Sequence, residues 1–216
     1  MSKITASKFH IRDFIFGLYR RNKYLLIISA AIFFGSIVIG IFIGYFSPGN
    51  TEQFLTSILN GLRSAHIKRT TLSIFMNNFR AALLLYGGGI VGIVTAGELG
   101  LNGYIYGSFL GFFSQGGVIS HYGVSTPLDF IIYTLPHGVV EIPATIIAGT
   151  SGFRLTTLIV SLIQSMIEKT PLNVNYWKFR DSMALLAIAI ILFFIAAIIE
   201  ANITPTLGNY VTGLRI

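Results

Sequence analysis

The chain has 216 residues, of which 53% are hydrophobic and only 11% are charged, and its formal net charge is +7. Because a soluble domain averages about 25% charged residues, this composition excludes an ordinary soluble protein and indicates one helical membrane bundle. The absence of cysteine excludes a disulfide framework, a thiolate metal site and a cysteine nucleophile. The basic excess does not require a nucleic-acid partner, because multi-spanning proteins gather Lys and Arg on the cytoplasmic side.

The N-terminal segment, residues 1–23, carries six Lys and Arg residues before the first long apolar run. Within it, the stretch from Phe9 to Tyr19 has the pattern of an amphipathic helix at the membrane surface. The run from Tyr24 to Phe46 is too long for the core of a cleaved signal peptide, which predicts a retained span. The expected domains are this basic segment, one transmembrane helical domain over residues 24–205 and a short tail over residues 206–216.

Apolar runs separated by turn residues predict an all-α, polytopic bundle of five spans with one or two interfacial amphipathic helices. Glycines at four-residue intervals let helices approach closely, which places the second and third spans at the centre. These two spans are expected to be antiparallel neighbours, because only Glu98 to Leu101 links them, and a turn at residues 121–123 leads into the fourth span. The predicted spans are residues 24–46, 71–97, 101–119, 127–149 and 182–201, the surface helices are residues 51–69 and 153–169, and the packing glycines are Gly40, Gly44, Gly103, Gly107 and Gly111.

The distribution of basic residues predicts the orientation of the bundle. With a cytoplasmic N-terminus, the inner segments carry ten Lys and Arg residues and the outer segments carry four. This excess favours an N-terminus inside and a C-terminus outside a cell membrane. If the helix at residues 153–167 also crosses, the bundle has six spans and the C-terminus returns inside.

The fourth span carries His137 and Glu141, which are bracketed by Pro136 and Pro143. A charged group at the centre of a membrane costs about 2.5–3.5 kcal/mol, so a sequence that keeps one usually pairs it or uses it. Residues four apart share one face of a helix, so these two side chains can bind each other or one ion. They are weak metal candidates, because a zinc site needs three or four ligands. The further carboxylates in apolar segments are Asp129 and Glu200.

Arg80 lies inside the second span. It needs an acidic partner, for which Glu141 and Glu200 are the candidates, unless its side chain extends outward to the membrane interface. The predicted intramembrane polar centre, structural or ion-binding, consists of His137, Glu141, Glu200, Asn78, Arg80 and Asn102. The sequence has no HExxH helix, no GxSxG elbow and no Walker loop, so no catalytic residue and no cofactor is predicted.

Four stretches carry a family resemblance, and they begin at Asn77, Leu101, Leu135 and Ala196: NNFRAALLLYGGGIVG, LNGYIYG, LPHGVVEIPATIIAGTSGFRL and AAIIEANITP. In this order they resemble the stage II sporulation protein M family of membrane proteins, also known as DUF95, over roughly residues 15–205. The resemblance implies an all-helical membrane fold and places the family's polar signature on Asn78, Asn102, His137, Glu141 and Glu200. It also implies an assembly role, because the named member is a membrane anchor that helps to localise peptidoglycan-degrading proteins.

Three functions remain open from the sequence. The first is a non-enzymatic scaffold that assembles envelope-remodelling partners, and the second is a transporter or channel with an ion or proton site at Glu141, Glu200 and His137. The third is an intramembrane metallohydrolase with His137 and Glu141 as ligands. The expected partners are the lipid bilayer, membrane or envelope proteins and a second copy of the chain, without nucleic acid.

Overall fold

The computed structural model describes residues 11–64, 70–119 and 126–212, and within these ranges the protein is helical and contains no strand. This confirms the all-α fold class. Three of the described helices, α1, α5 and α6, are long and apolar enough to cross a membrane, whereas the total of five or six spans stays a prediction. The helices are α1 (Ile11–Phe46), α2 (Pro48–Ser64), α3 (Thr71–Gly87), α4 (Ile93–Ser114), α5 (Pro127–Ile167), α6 (Tyr176–Asn202) and α7 (Thr204–Thr212), with 3-10 turns at Gly88–Ile90 and Leu172–Asn175.

Helix α1 joins two elements that the sequence separates. From Ile11 onward, the surface helix predicted at Phe9 to Tyr19 continues without a break into the first span; Phe9 lies outside the described residues. The 36 residues of α1 are about 54 Å long at 1.5 Å per residue. No proline interrupts this stretch, so the basic N-terminal turns extend the apolar helix.

The link predicted at Glu98 to Leu101 is wrong, because α4 runs straight through these residues. The chain turns instead at the glycine-rich segment between α3 and α4, where Gly92 has φ +74°. That backbone conformation suits glycine, since a Cβ would clash with the neighbouring carbonyl. The Thr95 hydroxyl donates to the Leu85 carbonyl oxygen across this turn at 2.8 Å, which satisfies a carbonyl at the end of α3. The turn at residues 121–123 lies outside the described residues.

Helix α5 is also longer than its predicted parts. It continues through Pro136 and Pro143 for 41 residues, so the separate surface helix predicted at residues 153–169 is wrong. Its end at Ile167 is followed by a short link to α6, which makes α5 and α6 antiparallel neighbours. Small residues of α5, Ala144 and Ala148, are fully buried in the core between these helices.

The predicted packing glycines lie in one seam between α1 and α4. Positions 33, 37 and 41 of α1 face Gly103, Gly107 and Gly111 in the same order, so the two helices run parallel. A Cβ added at Gly44 would lie 2.7 Å from the Ser108 carbonyl oxygen, closer than real side chains approach. The backbones therefore touch, as glycine-spaced membrane helices do.

Candidate functional site

Antiparallel packing of α5 and α6 brings His137 and Glu141 to Glu200. The first two lie one turn apart on α5, and Glu200 lies near the end of α6. One ligand atom of each side chain lies within 4.8 Å of the other two, and all three residues are half-buried. The His137 Nε2 and Glu141 Oε2 atoms are 3.9 Å apart. We name these three residues the His137 cluster.

Thr204, at the start of α7, orients the imidazole of the His137 cluster. Its Oγ1 lies 3.2 Å from His137 Nδ1 and 3.4 Å from the Ile199 carbonyl oxygen. A hydroxyl can both donate and accept, so the tautomer of His137 decides whether Thr204 accepts from Nδ1–H or donates to an unprotonated Nδ1. This arrangement leaves Nε2 as the nitrogen that faces Glu141.

Tyr106 of α4 lies within electrostatic range of both Glu141 and Glu200. It also lines an apolar groove of about 320 Å³, together with Thr134 and Gly138. The groove therefore lies on the flank of α5 next to the His137 cluster.

The His137 cluster lies at one end of the bundle. Seventeen consecutive apolar residues separate Ser182 from Glu200 on α6, and they rise about 26 Å along the helix. Because this approaches the roughly 30 Å thickness of the hydrocarbon core, Glu200 is expected near a membrane boundary. The cluster is thus expected to be within reach of the aqueous side.

The remaining predicted polar residues lie outside the His137 cluster. Asn78 is buried on α3, and its Nδ2 has no hydrogen-bond partner among the described residues. The Asn102 side chain donates to the Glu98 carbonyl oxygen within α4. Arg80 is exposed on α3, consistent with a side chain that extends outward. Asp129 lies in the first turn of α5.

A second polar cluster, at the other end of α6, is a feature that sequence reasoning missed. The fully buried carboxylate of Asp181 accepts two hydrogen bonds of 2.7 Å from Arg21 and one of 3.1 Å from Asn22. Arg154 donates to Asn22 Oδ1 at 2.5 Å and to the Arg21 carbonyl oxygen at 2.6 Å, and its guanidinium lies 5.2 Å from the Trp177 ring. We name Arg21, Asn22, Arg154 and Asp181 the Asp181 network; it joins α1, α5 and α6.

The Asp181 network has only a faint sequence signal. Asp181 stands immediately before the longest apolar run, among interfacial aromatic and basic residues. Its partner Arg21 is 160 positions away, so the pairing becomes visible only in the fold.

The class of protein is therefore an all-helical membrane protein whose long apolar helices are joined by one polar cluster at each end of α6. Residues 29–205 match the sequence profile of the family described as Stage II sporulation protein M, and the chain belongs to this family. Two relatives come from Methanocaldococcus jannaschii. The one described as uncharacterized protein MJ0706 is 26% identical over 91% of this chain and 88% of its own length. The one described as uncharacterized protein MJ0793 is 30% identical over 80% of this chain and 91% of its own length. No solved structure matches the chain significantly.

Proposed function

We propose that the protein is a non-enzymatic membrane scaffold that assembles envelope-remodelling partners. Membership of the Stage II sporulation protein M family supports this role. The resemblance to that family implies an assembly role, because its named member is a membrane anchor for other proteins. The proposal concerns the whole bundle, since the family match spans most of the chain.

The observation that carries the proposal is the bare outer face of α1. In its most apolar window only 17% of the α1 residues are buried within the described protein, against 39% for both α5 and α6. One side of α1 is fixed by the glycine seam and by the Asp181 network. The opposite side presents large apolar residues to lipid or to another membrane protein, among them Val38, Ile39 and Phe42. A rigid helix with such a face suits a partner helix.

Site-specific photo-crosslinking in the host membrane tests this proposal. A photoreactive residue at position 42 is expected to capture the same few proteins of envelope synthesis or degradation in repeated preparations. Position 84 on α3 is the matched control, because Leu84 and Phe42 are both 59% exposed. Lipid adducts alone at position 42, or identical protein adducts at both positions, would contradict the scaffold role.

A further inference from the structure

We propose that His137, Glu141 and Glu200 form a binding site for one divalent first-row transition-metal ion, of the class of Zn²⁺ or Mn²⁺. One potential ligand atom from each residue lies within 4.8 Å of the other two. Bonds from zinc to histidine nitrogen or carboxylate oxygen are about 2.0–2.2 Å long, so two ligands of one ion lie roughly 3–4 Å apart. Small side-chain rotations are enough to bring the three groups onto one ion.

The orientation of His137 is an independent reason to place a cation here. Thr204 contacts Nδ1 of His137, which leaves Nε2 facing Glu141 Oε2 at 3.9 Å. Their separation is too long for a direct hydrogen bond between Nε2 and Oε2, and it leaves space for a cation between the two atoms. A metal ion between them accepts both lone pairs. A histidine held through its other nitrogen is the usual arrangement of a metal ligand.

Charge balance also favours a divalent ion. Glu141 lies within α5 and Glu200 near the end of α6, and ligand atoms of the two carboxylates lie within 4.8 Å of each other. Two carboxylates so close repel each other when both are ionised. An ion of charge +2 neutralises the pair without adding net charge near the membrane.

The donor set defines the class of metal. One imidazole nitrogen and two carboxylate oxygens suit Zn²⁺, Mn²⁺, Fe²⁺ or Co²⁺, whereas Cu⁺ prefers thiolate or thioether sulfur. Three protein ligands leave a coordination position for water or a further oxygen. Because His137 and Glu141 lie on α5 and Glu200 lies on α6, the ion would join these two helices.

Metal content of the purified protein tests the site directly. The full chain is purified in mild detergent through a non-chelating affinity tag, dialysed against Zn²⁺ or Mn²⁺ and assayed by mass spectrometry of the metal. We expect about one ion per chain in the wild type and loss of that ion in Glu141→Gln and Glu200→Gln. Glu98→Gln is the matched control, because Glu98 is a half-buried helical glutamate outside the His137 cluster, and it should keep the ion.

Thr204→Val tests the orienting role of Thr204. Loss of such a hydrogen bond to a metal-bound histidine typically lowers metal affinity about 10–100-fold. Thr206→Val is its control, since Thr206 is exposed and its hydroxyl donates to the Asn202 carbonyl oxygen of the preceding turn. Equal metal affinities in the two valine variants would contradict the assigned histidine orientation.

Thermal stability of the wild type provides a readout that does not depend on whether the variants fold. At a hundredfold excess of metal over Kd, binding stabilises the folded state enough to raise Tm by about 5–10 °C in a chain of this size. A chelator should reverse this shift. The proposal would be overturned if the wild-type protein bound neither Zn²⁺ nor Mn²⁺ and its Tm did not change with metal or chelator. The His137 cluster would then be a metal-free His–Glu contact.

Discussion

At the scale of single residues, Asp181 determines how three helices meet. Its carboxylate has no exposed surface, and hydrogen bonds from Arg21 and Asn22 replace the water that it loses on burial. A buried ion pair contributes little compared with a well-packed apolar pair, but removing one partner costs about 3–5 kcal/mol, since the other charge is left without compensation. Arg154, which is buried, would be left in this position if the carboxylate were removed, whereas the exposed Arg21 can turn to water.

The variant Asp181→Asn is therefore expected to lower the free energy of unfolding by about 3–5 kcal/mol. The measurement is reversible unfolding in mixed micelles, followed by circular dichroism. Asp13→Asn removes an exposed carboxylate from α1 and should change stability by less than about 0.5 kcal/mol. Equal effects of the two substitutions would show that the Asp181 network does not stabilise the bundle.

At the scale of helices, the glycine seam between α1 and α4 shows what local spacing can predict. Four-residue intervals are a property of one helix, so the packing glycines could be selected from the sequence. The turn between α3 and α4 could not be placed in this way, because several glycines offered alternatives. Only Gly92 has the left-handed backbone conformation that ends the 3-10 turn.

The variant Gly107→Ala tests the seam. An added Cβ would meet the Ile37 carbonyl and the Ile41 nitrogen, which belong to the backbone and cannot rotate away. Overpacking of this kind costs about 1–3 kcal/mol, which we expect to measure as a lower unfolding free energy.

Gly97→Ala is the matched control on the same helix, because a Cβ at Gly97 meets nothing within 4 Å. It should be neutral or stabilise the protein by up to about 1 kcal/mol through helix propensity. The seam would be refuted if both alanine variants were equally stable.

At the scale of the whole molecule, contacts distant in sequence account for what the sequence alone could not predict. The i, i+4 relation of His137 and Glu141 is local and was predictable. The approach of Glu200 depends on how α5 and α6 pair, and the Asp181–Arg21 contact spans 160 positions. The continuous α5 also differs from the prediction, because neighbouring helices let membrane helices accommodate proline.

The directions of the helices define a topology that can be tested. Helix α1 runs parallel to α4, and α6 runs antiparallel to α5. Helix α3 is antiparallel to α6, because Phe75 contacts Phe194 and Tyr86 donates a hydrogen bond to Met183. If α3 and α4 cross the membrane, there are five spans, and the turn between them lies on the side of the N-terminus. A turn on the opposite side would contradict its contacts with Gly152 and Thr156 of α5, which lie beside the Asp181 network.

Single cysteines test this topology, because the natural chain contains none. An impermeant maleimide is added to intact cells, and all four tested positions are exposed in the structure. We expect it to label Asn50→Cys and Thr206→Cys at once. We expect it to label Arg12→Cys and Glu168→Cys only after permeabilisation. Ile90→Cys decides the span number, since Ile90 is 65% exposed in the turn between α3 and α4. Labelling only after permeabilisation supports five spans with a cytoplasmic N-terminus, because basic residues are retained on that side. Immediate labelling, together with Asn50→Cys, would contradict the five-span topology and the contacts between this turn and α5.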